Sequence, residues 1–102
     1  MDIMGFDIDV TVGTPECGEA SHGDFSLSEQ AMTINKKDTA EIQNSTMIHE
    51  CVEACNQILF DSSLEHRDIC LLEAFWYQVI TSNPKIFCNV ANKKSIVALF
   101  DK

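Results

Sequence analysis

Thr46-Met-Ile-His-Glu-Cys-Val-Glu-Ala54 sets a histidine and two glutamates into an apolar stretch of helical spacing. Met47, Ile48, Cys51, Val52, Cys55, Ile58 and Leu59 continue that spacing and predict a helix over residues 39–59, with Asp38 or Thr39 as N-cap. Residues four apart share a helix face, so His49 and Glu53 can hold one metal ion, with Glu50 beside them. In the His-Glu-x-x-His pattern two histidines bind zinc and the glutamate between them is the general base. His49 and Glu50 stand where that chemistry needs them, whereas Glu53 occupies the second histidine's place. The exchange has a chemical cost. An extra anionic donor makes zinc a weaker Lewis acid, and oxygen donors shift preference toward harder cations. His-x-x-x-Glu is also a weak signal by itself, since on an amphipathic helix it is usually a solvated pair.

Downstream, Asp61-Ser-Ser63 is a break, and a second helix is predicted from Leu64 to Ser82. Its inward residues are expected to be Ile69, Leu72, Phe75, Trp76, Val79 and Ile80, and Asn83-Pro84 stops it. This helix offers another i, i+4 pair, His66 and Cys70, with Glu73 about one turn further on. If the helices pack face to face, His49, Glu53, His66 and Cys70 can form a closed four-ligand zinc site. Such a site is structural, because no position is left open. The plainer alternative puts Cys70 in the core, leaves His66 exposed and makes Glu73 a surface charge.

Upstream, the period is two. Phe6, Ile8, Val10 and Val12 alternate with Asp7, Asp9 and Thr11, predicting a half-buried strand. Residues 13–24 read as a loop in which His22 is solvated. Phe25-Ser-Leu-Ser and Ala31-Met-Thr-Ile are shorter strands joined by a tight turn near Ser28–Gln30. The change of period implies an α+β fold, a small mixed or antiparallel three-stranded sheet packed on two long helices. Ile86–Ala91 and Ser95–Phe100 flank Asn92-Lys-Lys and suggest a C-terminal hairpin or extension, with a short helix as the alternative.

The length of 102 residues suits a single domain. No run of about 18 apolar residues argues for a membrane span. The acidic start Met1-Asp-Ile-Met-Gly-Phe-Asp lacks a signal-peptide pattern, so a cytoplasmic location is expected. Five cysteines form an odd set without a disulfide-framework spacing and are expected to be reduced, with Cys51 and Cys55 packing as small hydrophobes. A net charge of −9 speaks against direct nucleic-acid binding. It favours either plain solubility or a basic protein partner. Phosphate-binding loops, nucleophile elbows and Cys-x-x-Cys motifs are missing from the sequence.

Three strings carry a resemblance: Gln30-Ala-Met-Thr-Ile34, Thr46-Met-Ile-His-Glu-Cys-Val-Glu53 and Tyr77-Gln-Val-Ile-Thr-Ser-Asn-Pro84. Their order, spread over residues 3–84, resembles short phage and prophage proteins related to the minigluzincins, which are small metallopeptidase domains. The resemblance implies a small sheet on an active-site helix and a glutamate helix, with His49 as metal ligand and Glu50 as base. The family's second histidine is replaced by Glu53. Its third-ligand glutamate falls on Cys70, with Glu73 as the nearest acid and His66 as a further alternative. Two altered ligand positions lead to the expectation of a phage-encoded, catalytically degenerate zincin-like protein in the cytoplasm of the infected cell. It would bind a host or defence protein through its acidic surface. The alternative is an active metallopeptidase with a His/Glu/Cys or His/Glu/Glu zinc site. The tail 85–102 has no clear match and is expected to lie across the cleft, as latency segments do in some minigluzincins.

Overall fold

The structure, a computed structural model, describes residues 1–100. Met4 and Gly5 both adopt positive φ (52° and 87°), the combination that suits a two-residue hairpin turn. They join β1 (Asp2–Ile3) to β2 (Phe6–Asp7) in an antiparallel pair. Ile8 exchanges backbone hydrogen bonds with Met1 and buries its side chain. Next come β3 (Asp9–Gly13), β4 (Gly23–Ser26) and β5 (Ala31–Asn35), a mixed sheet in the order β3-β5-β4. β3 runs parallel to β5, and β4 antiparallel to it. The tight turn falls where the sequence predicts it, with Gln30 at φ 51° and its N–H donating to the Leu27 carbonyl.

α1 (Ala40–Leu59) is capped by Thr39, whose Oγ1 accepts from the Ile42 N–H at 3.3 Å. Toward the sheet it packs on β4 and β5. Ile8, Met32 and Ile34 form the buried core, with Ile3, Phe25, Met47 and Cys51 packed against it. Each such buried side chain contributes about 1.5–3 kcal/mol. At the end of α1, Asp61 and Ser62 take left-handed φ values and reverse the chain. Asn56 fastens this turn: Oδ1 accepts from the Leu64 N–H at 2.9 Å and Nδ2 donates to the Leu64 carbonyl at 3.3 Å. α2 (His66–Ser82) begins with a reciprocal Glu65–Asp68 capping box and packs mainly on α1. The fold is therefore α+β, layered as sheet, α1 and α2.

Three expectations are corrected. The strand predicted over 6–12 is divided between β2 and β3, and of its four apolar residues only Ile8 is buried; Val12 is 62% exposed. β3 lies at the sheet edge, beyond the main footprint of α1. On α2 the expected inward stripe reduces to Ile69, with Val79 and Ile80 half-buried and Leu72, Phe75 and Trp76 exposed. α2 rests mainly on one helix, so only one narrow face is covered. Finally, among the described residues no hairpin follows Pro84: α3 (Pro84–Ala91) and α4 (Val97–Phe100) are helical, so of the two expectations the short helix is the one seen. Pro84 ends α2 but also starts α3, where its fixed φ and missing N–H cost nothing. Ile86, Phe87, Val90 and Ala91 have helical rather than alternating spacing. Neither short helix has a buried residue. Residues 101–102 of the predicted single domain lie outside the described residues. Among the described residues no helix is long and apolar enough to cross a membrane.

Candidate metal centre

α1 sets His49 and Glu53 one turn apart, with Nε2 and Oε1 separated by 3.8 Å. α2 faces them and supplies His66. One donor atom from each of His49, Glu53 and His66 lies within 4.8 Å of the others. Tetrahedral zinc with bonds near 2.1 Å places its ligand atoms about 3.4 Å apart, so a small side-chain adjustment brings these three onto one ion. Glu73, further along α2, reaches back to α1. Its Oε1 is 2.6 Å from His49 Nδ1, and its Oε2 accepts from the Ser45 hydroxyl at 2.6 Å. A carboxylate only accepts, so His49 Nδ1 carries a proton, and Nε2, on the Glu53 side, is the atom left for a metal to take. A carboxylate behind a histidine in this way orients metal-ligating imidazoles.

The structure thus sorts the five candidate ligands. His49, Glu53 and His66 converge. Glu73 stands behind His49 and is engaged there. Cys70 lies outside the three-donor cluster, with Sγ 3.4 Å from His66 Nε2. Two imidazoles and one carboxylate make up the His2Glu composition of catalytic zinc sites. The carboxylate that replaces a histidine on α1 is offset by a histidine on α2. The extra anionic charge inferred from Glu53 alone does not arise.

Glu50 adjoins the cluster. It is buried, and its Oε2 has no hydrogen-bond partner. Burial pushes its carboxyl up from 4.5 to about 7; the His49 charge opposes the shift, and Glu53, Asp24 and Glu73 reinforce it. A carboxyl poised near neutrality is matched to proton transfer. The same burial, with the Glu50 charge, pushes the Cys51 thiol up, which suits a packing role for that cysteine. All five cysteines are free.

No family model, curated protein or solved structure matches this chain. The reading of the site rests on its geometry.

A cavity of about 470 Å³ opens between the loop at Ser21–Gly23 and the two helices, and His49, Glu50, His66 and Cys70 line it. No residue of 85–100 lines this cavity, so the described part of the tail does not cross it. Buried Asn35 fixes the loop, its Nδ2 donating to the carbonyls of Glu19 and Ser21 and its Oδ1 accepting from the Lys37 N–H. His22, expected to be merely solvated, pairs with Asp38 at 2.8 Å and contributes to the wall while its side chain stays 63% exposed. Gly23 lets β4 approach α1 closely: a Cβ there would lie 2.7 Å from Thr46 Cγ2 and 2.8 Å from the Thr33 carbonyl oxygen. Sequence reasoning passed over Ser45, Asn35 and Gly23. Ser45 alone left a signal, four residues before His49 on the same face. Asn35 and Gly23 act through contacts between distant segments, which spacing does not reveal.

Proposed function

We propose that the chain is a zinc-dependent hydrolase of peptide bonds, with His49, Glu53 and His66 as ligands and Glu50 as general base. The observation that carries this reading is the convergence of two imidazoles and one carboxylate beside a buried carboxyl whose Oε2 has no partner. When bound, zinc supplies Lewis acidity at a carbonyl oxygen and lowers the pKa of a coordinated water. The chain's own groups do the rest. Glu73 holds the His49 Nδ1 proton and so keeps Nε2 available. Glu50 lines the cavity beside the three donors, and its carboxylate would take a proton from the attacking water and return it to the leaving amine. Peptide substrates are favoured because β4 is an edge strand and its Gly23 lines the cavity. An extended chain can add to such an edge through main-chain hydrogen bonds.

Elemental mass spectrometry of the purified protein tests the metal, beside His49→Ala. We expect near-stoichiometric zinc in the wild type and its loss in the variant. Glu50→Gln should keep zinc and lose about 10²- to 10⁴-fold in the rate of peptide hydrolysis. Wild-type protein that takes up no zinc would overturn the proposal.

The net charge of −9 favours a second reading. In it a phage-encoded, catalytically silent protein docks its acidic surface on a basic host or defence protein in the bacterial cytoplasm. A stable complex that survives Glu50→Gln, without hydrolysis by the wild type, marks that reading.

A further inference from the structure

We infer that the outward face of α2, continued by α3, is a docking surface for a second copy of this chain, laid antiparallel across a two-fold axis. Glu73 and buried Ile69 mark the side of α2 that meets α1. Turned away from it, Asp68, Leu71 and Phe75 follow at i, i+3 and i+7, all exposed, with exposed Leu72 and Trp76 beside them. A run of large apolar side chains in water marks an interaction surface. Phe75 and Trp76 stack edge to face at 5.3 Å, and aromatic side chains are enriched at the centres of interfaces. None of these side chains lines the cavity at the candidate metal centre, so this surface is distinct from it.

The charges say which partner fits. Fifteen of the sixteen acids precede Ala74, whereas residues 74–100 carry Lys85, Lys93 and Lys94 and no acid. All three lysines are exposed, and none pairs with an acid among the described residues. The surface therefore runs from acidic, where Asp61, Glu65 and Asp68 outnumber Arg67, through the apolar centre, to basic on α3 and the turn after it. A two-fold interface sets one surface against its own reversed copy. An acidic, apolar, basic order is complementary to its own reversal. The acidic start of one α2 meets the basic end of the other, and the apolar centres meet each other. An anionic lipid surface fits only the basic end and repels the acidic one. A second copy also gives α3, which has no buried residue of its own, an apolar neighbour.

Sedimentation equilibrium of the full chain should show a reversible dimer, twice 11.4 kDa. The emission of Trp76, the sole tryptophan, should move to the blue as the dimer forms. Leu71→Glu, and separately the triple change Lys85→Glu, Lys93→Glu and Lys94→Glu, should each raise the dimer Kd about tenfold or more, with circular dichroism unchanged. Phe75→Ser takes the place of Leu71→Glu if that variant misfolds. A chain that stays monomeric up to about 1 mM overturns the proposal. So does a dimer that either set of changes leaves unaltered, or a Trp76 emission that does not follow association. A monomeric chain that instead co-sediments with phosphatidylcholine vesicles containing phosphatidylglycerol overturns it in favour of a lipid surface.

Discussion

Glu50 Oε2 is buried without a hydrogen-bond partner, so ionising this carboxyl costs the folded state more than the unfolded one. Its value is raised from 4.5 to about 7, and the folded protein therefore holds the proton more tightly. The stability this provides is fully present below about pH 4.5 and is lost as pH rises to about 7. At 1.36 kcal/mol per unit the loss is about 3 kcal/mol. Glu50→Gln, compared with wild type in the metal-free state, should gain about 1–3 kcal/mol at pH 8 and almost nothing at pH 4.5. Urea melts at the two pH values check this, and equal differences at both would refute it. Cys70 and Glu73 illustrate what the sequence leaves undecided at this scale. His49, Glu50 and Glu53 were legible because four-residue spacing fixes a face within one helix. His66, Cys70 and Glu73 occupy successive turns of α2, and which of them meets His49 depends on the axial offset of two helices. Spacing within either helix holds no information about that offset.

Asn56 bears on that offset, because its side chain holds both backbone groups of Leu64 just before α2 begins. Asn56→Ala leaves the Leu64 groups without their partner and should cost about 1–3 kcal/mol. Zinc affinity should fall with it, as His66 loses its position against His49. Denaturant melts and zinc titration on the same variant check the pair of effects; lost stability with unchanged zinc affinity would show that Asn56 does not set the offset. The two long helices were legible to within about two residues because a 3.6-residue period was sustained over many turns. The strand at 6–12 was not, since alternation looks the same whether or not a helix covers the strand. Val12 is exposed for a reason outside its own segment. Pro84 misled in another way, because one residue both closes a helix and opens the next.

Sixteen acidic residues face seven basic ones, and their mutual repulsion weakens the folded chain. Raising sodium chloride from about 0.01 M to about 0.15 M shortens the screening length from about 30 to 8 Å and should raise the melting temperature. An unchanged or falling melting temperature over that range would argue that the repulsion is already relieved, for example by acids spread far apart. The α+β class was legible at this scale from the switch of period alone. The outer position of α2 was not, and it leaves Leu71, Phe75 and Trp76 facing solvent. The radius of gyration, 15.1 Å against about 13 Å for a compact domain of 100 residues, reflects the same open layering. The strand order has its own consequence for how the chain is made. β5 lies between β3 and β4 yet follows both in sequence. As the chain leaves the ribosome, the first two strands have no neighbour in the sheet to pair with. The sheet can assemble only after Asn35 emerges, and α1, synthesised next, is what then shelters its apolar face.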